Sequence, residues 1–377
     1  MLFNAEYLAD PHGHNARLRE AAPSHRIALP DGSPARLVCP YELVRAGLAD
    51  PGLSLDKKRS RGGYAGFSLP PALDANLLNM DPPQHTRIRR LVTKAFTVRR
   101  VQELRPRVAE HAESLADKLI SPSDLIAEYA MPIPSVALGA LLGVSPADQG
   151  AFSGLIGRML VPENPRELPT TIAEITEFLT DLVAARTRSP GEDLLSELTT
   201  SELSRDELVS LAFLLLGAGV ENVQNTIGTG IFLLLSHPEQ LVDLRADPGL
   251  LRGAVEEILR HDPVSPLAIR RFALADGEHW EAGETVMLSL AAANRDPARF
   301  PDPDRFDVRR TDNAHVTFGH GVHHCVGAAL ARMEVEVAIS VLLRRFPSLA
   351  LAVPVSELRW RTSFRSRSLS ALPVLLG

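Results

Sequence analysis

Cysteine is nearly absent from this chain. Its 377 residues include two, Cys39 and Cys325, too few for a disulfide framework and in keeping with a reducing compartment. Lysine is scarce as well. Of 40 basic residues only Lys57, Lys58, Lys94 and Lys118 are lysine, a compositional hint of a GC-rich bacterial genome, and the net charge of -6 argues against nucleic acid as a main partner. Leu208 to Leu235 is apolar enough to resemble a membrane span. Yet Glu221, Asn222, Gln224 and Asn225 interrupt its middle and no basic flanks frame it, so a buried central helix fits better. The first residues carry no basic segment followed by an apolar run, which predicts a cytoplasmic protein. Repeats, low-complexity tracts and linkers are also missing.

What is present suits a large core: 45% of residues are hydrophobic and 23% charged. The pattern predicts one domain, 1–377, mainly α with small β-sheets. Pro34 to Cys39 reads as a strand before a short helix, Tyr41 to Ala49. Residues 61–80 have no helical or strand period and read as a long apolar loop, the kind that often covers a binding site. Helices are expected at about 84–98, 101–120, 123–143, 146–160, 169–187 and 247–261. The longest runs from Ser204, which with Glu207 has capping-box spacing, to Ser236, ~50 Å at ~1.5 Å per residue. Gly217 and Gly219 each cost it ~1 kcal/mol relative to Ala. Close approach of a flat ligand, or a kink, would compensate. A short β region is expected at 272–290.

Chemistry concentrates in Phe318 to Arg332, FGHGVHHCVGAALAR. Gly319, Gly321 and Gly327 surround Cys325 where a loop enters a helix, and helix N-terminal amides stabilise a sulfur anion. A thiolate there can hold heme iron, or join His320, His323 and His324 in a zinc site. Zinc usually needs a second pair of ligands, and His315 is the only other local candidate. A buried structural cysteine in a glycine-rich turn is the plainer alternative.

FGHGVHHCVG resembles, at every defined place, the heme-binding signature FGxGxHxCxG of the cytochrome P450 superfamily of heme-thiolate enzymes. Three further segments agree in order along the chain. MDPPQHTRIRRLV, residues 80–92, is similar to the heme-flanking helix of bacterial members. EILR, Glu257 to Arg260, resembles the ExxR helix, and FPDPDRFD, residues 300–307, the Pro- and Arg-containing stretch that follows it. The resemblance implies the P450 fold, with a long central helix over heme b (iron protoporphyrin IX). Cys325 is then the metal ligand, with Phe318, Gly319 and Gly327 beside the porphyrin. His85, Arg89, Arg271 and His323 would hold the propionates, and Glu257, Arg260 and Arg305 would form a buried network behind the heme.

Ala218-Gly219-Val220-Glu221-Asn222 aligns with the family's oxygen-activation segment, an acid followed by Thr or Ser. The acid is present as Glu221, but Asn222 stands where the alcohol belongs. A hydroxyl can donate and accept at once and so relay protons, which an amide does poorly. Either ordered water or Thr226, one turn on, completes the relay, or the enzyme couples or cyclises a substrate whose own polar groups deliver protons. The implied activity is O2-dependent hydroxylation of a small organic molecule in bacterial specialised metabolism, with oxidative C–C or C–O coupling as the alternative and a non-catalytic heme sensor as another class. Glu221 speaks for catalysis. No dinucleotide fingerprint is visible, so electrons would come from a ferredoxin or flavodoxin with its reductase. Arg87, Arg90, Lys94, Arg99, Arg100, Arg344 and Arg345 could dock an acidic donor. The implied substrate pocket includes Leu78, Leu214, Val220, Leu267, Ala268, Ile269 and Phe364.

Overall fold

The structure, a computed structural model, describes residues 2–61, 63–64, 69–74, 76–160 and 164–377. It is mainly helical with two small sheets, as the pattern predicts. The first sheet has the strand order β1 (Ser24–Ala28), β2 (Pro34–Val38), β6 (Thr285–Leu288), β5 (Arg271–Ala273) and β3 (Leu53–Ser54). β2 and β6 run parallel, with Leu37 opposite Met287, and the other pairs are antiparallel. The second sheet joins β4 (Ser123–Asp124), β8 (Pro373–Leu375) and β7 (Ala350–Leu351).

Seven helices position the site. They are α1 (Gln84–Thr93), α2 (Val98–Ala116), α3 (Ile133–Leu142), α4 (Leu168–Arg188), α5 (Arg205–Ser236), α6 (Leu251–His261) and α7 (Ala328–Arg345). α5 starts where expected. Ser204 Oγ accepts from the Glu207 amide at 3.2 Å, and Glu207 Oε2 accepts from the Ser204 amide at 2.8 Å. Packing against α3 and α4 buries most of its length, so its apolar sequence reflects a core. Among the described residues, no helix is long and apolar enough to cross a membrane.

Some boundaries differ from the pattern. The helix expected at 123–143 is split into β4, a π-helical turn at Ile126–Ala130 and α3, because Pro132 and Pro134 lack the amides that a continuous helix needs. Of the apolar loop at 61–80, residues 62, 65–68 and 75 lie outside the described residues. Pro71–Asp74 forms a short helix, and the Ser210 hydroxyl of α5 donates to the Leu73 carbonyl at 2.9 Å.

Behind the site lies an ion pair with no solvent exposure. Arg260 Nε and Nη2 meet Glu257 Oε2 and Oε1 at 2.7 and 2.8 Å, and both side chains are 0% exposed. Arg260 also donates to the carbonyls of Asn294, Pro303 and Arg305 at 3.0, 2.8 and 3.2 Å. The expected network is therefore present, with one correction. Arg305 contributes its carbonyl, while its side chain is 64% exposed and reaches Asp307 at 3.7 Å. The third charged partner is Arg310, whose Nε lies 3.2 Å from Glu257 Oε2.

Removing one partner of a buried pair strands the other charge. Arg260→Met should lower the free energy of unfolding by about 3–5 kcal/mol, read as a lower urea midpoint; an unchanged midpoint would mean that Arg310 and the main chain suffice for Glu257.

Candidate functional site

The cysteine loop is built by its glycines and by hydrogen bonds from below. Gly319 and Gly321 have φ of +74° and +73°, and a Cβ at Gly321 would lie 2.8 Å from the Ala49 Cα, so the loop can press against the end of the Tyr41–Ala49 helix only with glycine there. The Cys325 amide donates to the Phe318 carbonyl at 2.8 Å. Upstream, the Val316 amide donates to Asn294 Oδ1 at 2.8 Å, Asn294 Nδ2 donates to Thr317 Oγ1 at 2.7 Å, and the Thr317 hydroxyl passes to the Leu259 carbonyl at 2.6 Å. Cys325 is accessible and lines a cavity of about 310 Å³. Burial pushes its thiol up, while the Gly327 amide and the charges of Arg89 and Arg332 pull it back. Burial outweighs the helix-start effect expected from the sequence, so a bound cation is needed to complete a thiolate site.

Four basic side chains gather on one side. Arg89 lines the cavity from α1, Arg271 from β5 and His323 from the loop. His85 sits behind His323, their ring centroids 4.1 Å apart. Among the described residues, neither ring nitrogen of the buried His85 has a partner, nor does Arg271 Nε. Burial, and then the neighbouring cations, hold His323 down at about 3. Burial lowers Arg271 to about 10, against the pull of Asp81 and Asp50, and lowers His85 with Arg89 adding to it. Unpaired buried donors around an apolar cavity with a thiol facing it fit a flat cofactor carrying carboxylates, and heme is such a group. The zinc alternative is not assembled: among the described residues no three His, Cys, Asp or Glu side chains are grouped to hold a metal.

α5 roofs the cavity with Leu214, Ala218, Gly219, Asn222 and Thr226. Gly219 packs closely on α3, since a Cβ would lie 2.9 Å from Leu138 Cδ1 and that leucine would have to shift, whereas Gly217 faces open space. Asn222 Nδ2 donates to the Ala218 carbonyl and Oδ1 accepts from the Ser265 hydroxyl, each at 2.9 Å. Thr226 Oγ1 donates to the Asn222 carbonyl at 2.7 Å. Glu221 is not among the lining residues. It bonds Ser366, which also accepts from Asn225 Nδ2 at 3.1 Å, and burial raises its carboxyl against the pull of Ser366 and Arg361.

Leu78, Leu267, Ala268, Ile269, Phe318, Gly319 and Gly327 also line the cavity, as the resemblance implies. Two expected substrate residues do not. Val220 is 0% exposed and turned into the core, since adjacent helix positions face different directions. Phe364 packs on Phe3, centroids 5.5 Å apart. Sequence reading missed Ser265, Ser366 and Glu334, which belong to no motif with a recognisable spacing. Most of the basic surface residues are engaged: Arg87 with Glu207, Arg99 with Glu103, Arg100 with Glu197, Arg344 with Glu113, and Arg345 with Glu113 and Asp117.

Comparison with known proteins agrees over the whole length. Residues 158–352 match the family model "Cytochrome P450". The chain is 43% identical to cytochrome P450 monooxygenase PikC of Streptomyces venezuelae, covering 98% of this chain and 92% of that one. It is 40% identical to 6-deoxyerythronolide B hydroxylase of Saccharopolyspora erythraea, covering 96% and 95%. Among solved structures, ligand-free P450 monooxygenase TamI superposes with a TM-score of 0.93 at 40% identity, covering 100% and 93%. CxnD, described as the P450 for C–S bond formation in chuangxinmycin biosynthesis, gives 0.90 at 37% identity, covering 98% and 95%.

Glu334 supplies a measurable signature of the cavity floor. It lines the cavity from α7, is 1% exposed, and has no partner at Oε1 among the described residues. Burial holds its carboxyl well above the usual value of 4.5. Above that value the unfolded chain loses the proton while the folded chain keeps it, so Glu334 costs stability increasingly as pH rises toward its folded value. Glu334→Gln should melt with wild type near pH 4.5 and above it near about pH 8; a pH-independent difference would place Glu334 in a wet, ordinary environment.

Proposed function

The chain belongs to the cytochrome P450 family of monooxygenases, and we propose that it is a single-domain bacterial enzyme, residues 1–377, that binds heme b through Cys325 and hydroxylates a small organic molecule of specialised metabolism. The observation that carries this reading is the accessible Cys325 in an apolar cavity roofed by α5 and flanked by Arg89, Arg271 and His323. When bound, thiolate-ligated heme supplies oxygen activation, the sulfur donating electron density that favours O–O cleavage. The protein's part is to bind, orient and exclude water.

His85, Arg89, Arg271 and His323 are the proposed propionate partners. Their unpaired or crowded donors would be relieved by two carboxylates, and arginine can engage a carboxylate through two parallel bonds. Phe318, Gly319, Gly327, Ala218 and Gly219 would border the porphyrin. Leu78, Leu214, Leu267, Ala268 and Ile269 would face the substrate, apolar walls that select by shape and keep water out. Glu221, with Thr226 and Asn222, is the proposed route for protons from the surface. Electrons would come from a ferredoxin or flavodoxin with its reductase in the cytoplasm. Arg90 and Lys94 have no ion pair among the described residues and are left to meet an acidic donor.

Oxidative coupling without oxygen insertion is the second reading. It is favoured by Asn222, whose amide is held at both ends, and by the likeness to CxnD. Against a heme sensor stands the half-buried acid Glu221 beside the cavity roof, which mere binding does not need.

Reduced protein under carbon monoxide should show the strongly red-shifted thiolate-heme band, lost in Cys325→His; a colourless wild-type protein would falsify the cofactor reading. Arg271→Ala should retain less heme per chain after purification, and full retention would remove Arg271 from the propionate set. For a compound that displaces water from ferric iron, turnover under ¹⁸O2 separates the two reactions: label in the product supports hydroxylation, and an unlabelled, dehydrogenated product supports coupling.

A further inference from the structure

The central helix lacks a hydroxyl where an alcohol would be useful, and a second segment brings one to the same place. Ser265 lies in the run Pro263-Val264-Ser265-Pro266, far along the chain from α5. Proline on both sides restricts this run, and the residue before a proline is biased toward extended backbone. Hydrogen bonds anchor it at two points, the Arg367 amide donating to the Val264 carbonyl at 2.7 Å and the Ala291 amide to the Pro266 carbonyl at 3.0 Å, and just beyond it the Ala268 amide donates to the Leu288 carbonyl at 2.9 Å. The half-buried Ser265 lines the cavity, and its Oγ donates to Asn222 Oδ1 at 2.9 Å.

That bond fixes the Asn222 amide. With Oδ1 held by Ser265, Nδ2 donates to the Ala218 carbonyl at 2.9 Å. The flipped amide would set two oxygens against each other at Ala218. Thr226 is a poorer source of the missing hydroxyl, because its Oγ1 donates at 2.7 Å to a main-chain carbonyl of its own helix. Such a bond satisfies the helix. The Ser265 hydroxyl instead donates to a side chain, and the residue lines the cavity.

We propose that Ser265 and Asn222 together replace the single alcohol of the oxygen-activation segment: the amide orients the serine, and Ser265 Oγ relays protons into the cavity. Each proton that leaves Oγ is replaced by one taken up at its lone pairs, so the side chain ends neutral; the proton comes from solvent when O2 is the oxidant and from the peroxide itself when peroxide is. The proposal rests on the heme-thiolate reading above.

The test uses heme-loaded protein with hydrogen peroxide as the sole oxidant, reduced to water, and guaiacol as the electron-donating reporter, so neither the native substrate nor the redox partner is needed. Ser265→Ala should slow the peroxide-driven rate about 10²-fold, the low end for a lost acid–base group, with its carbon monoxide band in place. The C–O stretch of that adduct should broaden as the Asn222 amide is freed. Asn222→Thr combined with Ser265→Ala should recover most of the rate, because the hydroxyl returns on α5. An unchanged rate in Ser265→Ala overturns the proposal, and so does a slow variant that Asn222→Thr does not rescue, since Ser265 would then only shape the cavity. If Ser265→Ala fails to load heme, Ser265→Thr against Ser265→Val makes the same comparison at nearly equal shape, and equal rates overturn it. A wild-type protein without the thiolate-heme band would instead sink the heme reading itself.

Discussion

The cysteine loop hangs from a charge that never meets water. Arg260 is 0% exposed, and beyond its bidentate pair with Glu257 it spends its remaining donors on main-chain carbonyls, including that of Asn294. Asn294 then grips Val316 and Thr317, and Thr317 ties back to Leu259 on the helix that carries Arg260. An ion pair that is expensive to desolvate is tolerable when every donor and acceptor is used. Here the result is a closed circuit that fixes the entry to the Cys325 loop.

The same economy does not extend to the other side of the cavity. His85, His323, Arg89 and Arg271 crowd together with few acidic neighbours, and burial lowers each of them. Such a cluster is uncomfortable without an anion, and an anionic cofactor would turn repulsion into binding. Binding and folding at this site are therefore coupled through charge. Below the cavity Glu334 shows the opposite solution, a carboxyl that burial keeps protonated. Two arginine cations with two imidazoles that burial keeps neutral thus face one side of the apolar chamber, and a protonated carboxyl faces the other.

Much of this was legible in the chain. The glycine-flanked Cys325, the Glu257–Arg260 spacing and the capping box at Ser204 are local patterns, and local backbone geometry makes them readable. His85 and Arg89 were legible for the same reason, lying four apart on one helix. Val220 and Phe364 were misplaced because a residue's direction depends on what packs against it. Arg305 was misread likewise: its position in the motif matters through its carbonyl, which any residue has, while the charge comes from Arg310 five residues on.

Sequence alone determined the helical class, the long central helix, the thiol at a loop-to-helix junction and the unusual Asn222, since each follows from neighbours along the chain. Tertiary structure alone decided what surrounds Asn222. Ser265 is 43 residues away and Ser366 approaches its neighbour Asn225 from 141 residues away. No period or spacing reports such contacts. They arise because Pro-bounded and C-terminal segments are pinned by main-chain hydrogen bonds against the sheet and α5, and distance along the chain places no limit on where that pinning occurs.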